Sequence, residues 1–142
     1  MSIIQSMCTS FKSEILSGVH DFTSHTFKIA LYGADAVLGP ESTAYTASGE
    51  ASGTSYTAGG KDLTVVDSSV STAGATVFVD FADVSWDDAT ITARGALIYN
   101  STVSGNPAVI VLDFGMNKTV ASAPFTVYFP VSAASSAIVR VS

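Results

Sequence analysis

The sequence predicts a mainly β protein: an antiparallel β-sandwich or jelly-roll-like single domain with one short N-terminal α-helix. Three observations predict it. After residue 25, short segments of alternating apolar and polar residues recur about every 8–20 residues. Apolar spacing of three and four, typical of an amphipathic helix, is confined to residues 1–24. The length of 142 residues suits one domain. We therefore expect an N-terminal arm and helix, residues 1–24, followed by a β-sandwich domain, residues 25–142.

The helical pattern of residues 1–24 is an apolar stripe. Its members are Ile4, Met7, Phe11, Ile15, Val19 and Phe22. Ser10 is a candidate N-cap and Gly18 a candidate stop, which predicts a helix over about residues 10–17. Because the stripe continues beyond both ends of this helix, the segment packs on its own sheet or forms an arm that reaches a neighbouring subunit.

The first strand signal begins at Thr26, where Phe27, Ile29 and Leu31 alternate with smaller or polar residues. A long loop rich in Gly, Ser and Thr follows over residues 33–60, with a short irregular strand expected around Thr43–Thr46. A loop of this length inside a small domain is usually functional or mobile.

Further strands follow at regular spacing. We expect them at Leu63–Asp67, Ala75–Phe81, Val84–Trp86, Thr90–Tyr99, Ala108–Phe114, Phe125–Phe129 and Ala137–Val141. The expected connections include a turn at Asp87 and Asp88 and another at Gly115–Lys118.

Charge is scarce in this chain. Charged residues make up 13% of it, the net charge is -6, the pI is about 4.5 and the mean hydropathy is +0.41. An acidic chain repels phosphate, which excludes a basic nucleic-acid binder. An ordinary disordered chain would have fewer apolar residues and more charge. The composition therefore indicates a folded domain whose surface is partly covered by other subunits.

Cys8 is the single cysteine, so the chain forms no intrachain disulfide and no multi-cysteine zinc site. The first residues lack the basic and apolar regions of a secretory signal, and no run reaches the length of a membrane span. We expect a protein that stays in a cytoplasm or leaves it by a route other than secretion, such as lysis, and that binds no membrane.

The second faces of the predicted strands are unusually apolar. They carry Phe78, Ile98, Ile110, Leu112, Tyr128 and Ile138. One short helix cannot cover them all, so the remainder meets either long loops or another subunit. We expect a homo-oligomer, with a trimer as one possibility. The candidate interface residues are Ile4, Met7, Phe11, Ile15, Tyr45, Tyr56, Phe78, Ile98 and Tyr128.

Two groups of residues are weighed as metal ligands. His20 and His25 are five apart and lack further donors, so a loop or capping role is favoured over a metal site. Asp83, Asp87 and Asp88 match no calcium loop, and turn contacts of Asp87 and Asp88 are favoured. We expect no metal and no cofactor.

Nucleophilic catalysis has little support in the sequence. No Gly-x-Ser-x-Gly elbow with a downstream histidine is present, and Cys8 lies on the apolar stripe, where it serves as a small hydrophobe. A pair of carboxylates on distant strands stays open as an alternative. The expectation is a protein that is not an enzyme.

The order of segments resembles a family of small proteins encoded in the structural gene blocks of tailed phages and prophages. The resemblance covers most of the chain after residue 10. It runs through SFKSEILSGVHDF, TFKIALY, GEASGTSYTAGGK, FADVSW, ATITARGALIYN and AVIVLDFG. It implies a virion structural protein assembled in the host bacterial cytoplasm, without catalytic motifs.

Two functions follow from that resemblance. The first is a capsid decoration or cement protein that binds the major capsid protein, with residues 1–22 and the loop 33–60 as contact segments. The alternative is a tail, adaptor or fibre-associated protein that contacts the host surface. Exposed aromatic residues able to stack on sugar would serve the alternative, and the candidates are Tyr32, Tyr45, Tyr56 and Trp86.

Overall fold

The computed structural model describes residues 2–130, 132, 133 and 135–141. It confirms a mainly β, β-sandwich-like fold with two antiparallel sheets and one short helix. The elements are β1 (Ser6–Met7), α1 (Thr9–Leu16), β2 (Phe27–Tyr32), β3 (Lys61–Asp62), β4 (Ser71–Ala73), β5 (Thr76–Val79), β6 (Val84–Asn100), β7 (Ala108–Val127) and β8 (Val139–Val141). One sheet has the order β1-β7-β6-β2-β3, and the other has the order β4-β5-β8.

Helix α1 lies one residue earlier than predicted. Cys8 occupies the N-cap position without a side-chain cap, and the predicted cap Ser10 instead donates its hydroxyl to the Ser42 carbonyl at 3.4 Å. The predicted stop is confirmed, because Gly18 adopts φ +78° and the Val19 N–H bonds to the Glu14 carbonyl at 3.0 Å.

Strands β6 and β7 form one long antiparallel hairpin, and here the sequence prediction is wrong in two places. The expected turn at Asp87 and Asp88 is a bulge inside β6, where Asp88 adopts φ +49°. The expected turn at Gly115–Lys118 lies within β7, and Gly115 adopts φ +83°. Residues that tolerate positive φ kink these strands without ending them, because the pairing resumes on the far side of each irregularity.

The remaining strands are shorter than predicted. In place of the predicted strand Leu63–Asp67, the structure has three separate features. They are β3 just before this segment, a single bridge from Val65 to Phe81, and a 3₁₀ turn at Val66–Ser68. The irregular strand expected around Thr43–Thr46 is one bridge between Ala44 and Pro107. Short apolar runs mark these elements, and hydrogen-bond partners set where each one ends.

Residues from both sheets and from the helix form one buried cluster. Phe22 and Phe27 stack with ring centroids 4.4 Å apart, and Phe81 and Phe11 lie against them. The apolar stripe of residues 1–24 therefore packs largely on the chain's own sheet. Among the described residues, no helix is long and apolar enough to span a membrane.

Candidate functional site: the arm–loop surface

The two segments predicted to make contacts lie side by side. Residues 2–4 of the arm run parallel to the loop, where the Ile4 N–H donates to the Leu38 carbonyl at 2.9 Å and the Leu38 N–H donates to the Ser2 carbonyl at 3.0 Å. The Thr9 N–H adds a bond to the Pro40 carbonyl at 2.9 Å. We call residues 2–4 together with residues 37–42 the arm–loop surface.

This surface is apolar and open. Ile4 is 54% exposed and Val37 is 68% exposed. They border a cleft of about 560 Å³, in which the lining residues are Ser2, Ile4, Val37, Leu38, Gly39, Pro40, Glu41 and Ser42. Glu41 is the one charged residue among them. A surface of this kind loses little solvation free energy when a partner covers it.

A single carboxylate anchors the far half of the loop. Glu50 Oε1 accepts the Tyr45 hydroxyl at 2.5 Å, and Oε2 accepts the Tyr56 hydroxyl at 2.5 Å and the Gly59 N–H at 2.8 Å. The Tyr99 hydroxyl reaches in from β6 to the Gly59 carbonyl at 2.5 Å. Polar contacts thus tie the far half of the loop to the sheet, while Ala36 and Leu38 of its near half are buried in the core.

The electrostatics of this network favour neutral phenols. Burial, the hydrogen bond to Glu50 and the charge of Glu50 raise the pKa of Tyr45 to about 12. Burial, followed by the charge of Glu50, raises the pKa of Tyr99 to about 12. Burial also raises the pKa values of Tyr32 and Tyr56 above their usual range. These hydroxyls therefore remain donors at any physiological pH.

The expectation of exposed aromatic residues for sugar stacking is wrong for two of the four candidates. Tyr32 and Trp86 are buried. Tyr45 and Tyr56 are half-buried, and their hydroxyls bond to Glu50. Their rings also pack internally, Tyr45 on Tyr99 at 4.8 Å and Tyr56 on Trp86 at 5.9 Å.

The candidate interface residues divide into three groups. Phe11, Phe78 and Ile98 are buried within the chain itself, which corrects the expectation that they need a neighbouring subunit for cover. The longer hairpin and α1 cover more of the sheet than separate short strands would. Half-buried members are Met7, Ile15, Tyr45 and Tyr56, and exposed members are Ile4 and Tyr128, the latter 74% exposed.

A second apolar patch lies around the smaller sheet. Leu16 at the end of α1 is 89% exposed, and Val70, Val77 and Val141 are also exposed. Val77 pairs with Val141 across β5 and β8, and both line a small apolar groove of about 80 Å³. We call the three valines, which line this groove, the small-sheet patch; Leu16 is not among the lining residues. The sequence did not single out Leu16, because it falls off the predicted stripe.

Both histidines contact the side-chain amide of Asn100, a residue that no sequence motif marks. Asn100 is buried at the end of β6, and its Nδ2 lies 3.0 Å from the Nδ1 atoms of both His20 and His25. His20 Nε2 lies 2.9 Å from Glu14 Oε1. Within the described ranges, no three His, Cys, Asp or Glu side chains are grouped so that they could hold a metal ion.

The remaining candidates have structural roles. Asp83 Oδ1 accepts the Phe129 N–H at 2.7 Å, while Asp87 and Asp88 are exposed at the β6 bulge. Cys8 is buried, and this burial, with the nearby charge of Glu14, raises the pKa of its thiol to about 11. A protonated thiol is a poor nucleophile.

Comparison of the chain with protein-family models, with curated proteins and with solved structures finds no match.

Proposed function

We propose that the protein is a phage virion structural protein, a capsid decoration or cement protein that binds the major capsid lattice. The observation that carries this proposal is the arm–loop surface. The arm and the loop, two distant segments of the sequence, present Ile4 and Val37 beside one open cleft. A protein that joins capsid subunits needs complementary surface, and the resemblance to virion proteins supplies the partner.

The physics of such a surface suits a repeated lattice. Many identical weak contacts add up through multivalency when one particle presents many copies of a binding site. Among the described residues that line the cleft, Glu41 alone is charged, which limits the cost of desolvation on docking. The net charge of -6 also keeps the free subunit away from packaged DNA.

We propose that the protein acts as a homo-oligomer. The small-sheet patch supports this part, since its three exposed valines line one apolar groove together with half-buried Ile15 of α1. Covering apolar surface contributes about 25 cal/mol per Å². Light scattering at micromolar concentration checks it, and a monomer alone would contradict it.

The test of the proposal is binding to phage heads that lack the protein. We expect the double variant Ile4→Ser, Val37→Ser to bind at least about tenfold more weakly than wild type, since two exposed apolar side chains contribute more than about 1.4 kcal/mol when buried. The matched control is Met116→Ser, which removes an exposed apolar residue of β7 outside this surface. Co-sedimentation with heads measures the occupancy.

The particle also distinguishes decoration from a tail position. A decoration protein has a copy number comparable with that of the major capsid protein, whereas a tail, adaptor or fibre component has far fewer copies. Quantitative mass spectrometry of purified virions measures this ratio. A tail-like ratio, or equal head binding by the double variant and wild type, overturns the decoration proposal.

A further inference from the structure

The cluster around Asn100 has a fixed hydrogen-bond polarity. The Thr102 N–H donates to Asn100 Oδ1 at 3.0 Å and the Val103 N–H donates to it at 3.4 Å. Because these two backbone donors require the oxygen, the amide nitrogen must face the histidines. Asn100 Nδ2 therefore acts as the donor to His20 and to His25.

This polarity makes the Nδ1 atom of each imidazole a hydrogen-bond acceptor. Each Nδ1 atom accepts a hydrogen bond from Asn100, and His25 Nδ1 accepts a second one from the Asp21 N–H at 3.2 Å. A proton added at either Nδ1 would set donor against donor. The His20 side chain is fully buried, so the displaced groups have no water at hand.

We propose that His20, His25 and Asn100 form an acid-sensitive latch. At neutral pH the latch holds α1 and the linker 17–26 against the end of β6. Histidine is the side chain that ordinarily gains its second proton between pH 5 and 8. When either imidazole gains that proton, the Asn100 bridge breaks and transient opening of the helix and linker from the sheet becomes more frequent. Burial of Phe11 and Phe22 keeps the closed state the major one, and the β6–β7 hairpin stays intact.

Two carboxylates oppose this release. Glu14 on α1 accepts from His20, and the charge of Asp21 on the linker attracts that of His25. Glu14 is partly exposed, and Asp21 is exposed, with its oxygens already engaged by Thr23 and Ser24. Water screens the attraction of exposed Asp21. Glu14 already accepts from His20 Nε2, so a proton added at Nδ1 gains no new hydrogen bond there, whereas it creates the donor clash with Asn100. The loop after β6, residues 101–107, carries no titratable side chain, and β2 places the Phe27 ring next to His20.

Hydrogen exchange with mass spectrometry tests the latch in the intact protein, at about pH 7.5 and about pH 5.5. Rates are divided by the intrinsic exchange rates at each pH. The opening constant for residues 9–26 should rise on acidification by up to about tenfold per pH unit for each imidazole that takes up a proton. Residues 108–112 of β7 serve as the internal control and should keep their protection.

Two variants test which side chains cause the pH response. Asn100→Asp keeps an oxygen for Thr102 and Val103 but turns the donor into an acceptor, so acidification should now increase the protection of residues 9–26. His25→Asn keeps an acceptor near the Nδ1 position and cannot titrate, so its pH response should be weaker than wild type. Unchanged wild-type protection on acidification overturns the latch. So does a wild-type response in His25→Asn, or an uninverted response in a folded Asn100→Asp.

Discussion

At the residue scale, Glu50 explains how a loop with few large apolar side chains is ordered. Its two oxygens take three hydrogen bonds, all from residues of the loop itself. Tyr56 passes the connection on, because its hydroxyl also accepts the Leu31 N–H of β2 at 2.9 Å. One carboxylate therefore fastens the loop 33–60 to β2 of the larger sheet.

Glu50→Gln tests this anchoring. The amide keeps one acceptor and replaces the other with a donor, which leaves one of the three bonds unmade. We expect the free energy of unfolding to fall by about 2 kcal/mol, and limited proteolysis to cut within residues 33–60 sooner. Urea denaturation and timed digestion measure the two effects.

Glu41→Gln is the matched control, because Glu41 lies in the same loop and is exposed. Its stability should stay within about 0.5 kcal/mol of wild type. Equal losses in the two variants would mean that charge, and not the tyrosine contacts, accounts for the result.

The sequence does not predict side-chain hydrogen-bond contacts of this kind. Tyr45 and Tyr56 stood in a Gly- and Ser-rich stretch that predicted exposure, and Asn100 stood at the end of a strand with no partner in sight. Glu50 is only five and six residues from the two tyrosines, but no regular spacing marks it as their partner, and Asn100 and His20 are 80 residues apart. Side-chain hydrogen bonds carry no periodic signal, so the fold must be known before they can be found.

At the element scale, close approach of the loop to the sheet depends on two glycines. A Cβ at Gly60 would lie 1.8 Å from the Ile29 carbonyl oxygen, and a Cβ at Gly53 would lie 2.0 Å from the Thr90 carbonyl oxygen. Both positions have positive φ. Here glycine is required by the neighbouring strand as well as by its own backbone.

Gly60→Ala and Gly105→Ala separate the effect of the neighbouring strand from the effect of positive φ. Their φ values are +84° and +88°, but nothing lies within 4 Å of a Cβ at Gly105. Gly105→Ala should cost about 1 kcal/mol for backbone strain alone. Gly60→Ala should cost at least about 3 kcal/mol, because β3 must move away from β2.

Thermal or urea unfolding of the two variants gives these values directly. Similar losses in both would contradict the close approach of the loop to β2. A loss at Gly105 larger than at Gly60 would contradict it more strongly.

The same scale shows what periodicity can predict. The alternation of β2 and the long apolar runs of β6 and β7 identified strands in the right places, because burial on a sheet face repeats every two residues. Inside β6 and β7, residues typical of turns led to wrong predictions of where the strands end. Asp88 and Gly115 are typical of turns, and only the pairing across the hairpin reveals that they form irregularities within continuous strands.

At the scale of the whole molecule, Asp80 lies where the chain passes from the smaller sheet towards the larger one. It is buried, its Oδ1 accepts the Phe81 N–H at 2.9 Å, and its Oδ2 has no hydrogen-bond partner among the described residues. Burial raises the pKa of Asp80, and the charge of Asp83 adds to this, against the lowering effect of the Phe81 and Ile138 N–H groups.

Asp80→Asn should therefore stabilise the protein at neutral pH by about 1 kcal/mol. The folded state holds the Asp80 proton more tightly than the unfolded chain does. Its contribution is thus full below the ordinary value of 3.8 and is lost as pH rises through the folded-state pKa. The gain should shrink as the pH approaches 3.8. Global urea unfolding of both proteins between about pH 4 and 8 measures it.

Global unfolding separates this effect from the histidine latch, which acts locally and with the opposite sign. Asp80→Asn with lower stability than wild type at neutral pH would show that Asp80 is ionised and held by partners. The composition predicted a folded domain with little charge, but it could not locate this carboxyl, because its burial depends on how the two sheets meet.

The order of the strands also has a consequence for synthesis. The main partners of β1 and β2 lie in β7 and β6, so the N-terminal half of the chain leaves the ribosome with only the two-residue β3 for β2 to pair with. At about 5–20 residues per second this wait lasts several seconds. The stretch that waits is dominated by the loop 33–60, whose small and hydroxyl-bearing residues offer little for aggregation. The same composition that makes the loop depend on Glu50 for its order thus protects the nascent chain until the hairpin forms.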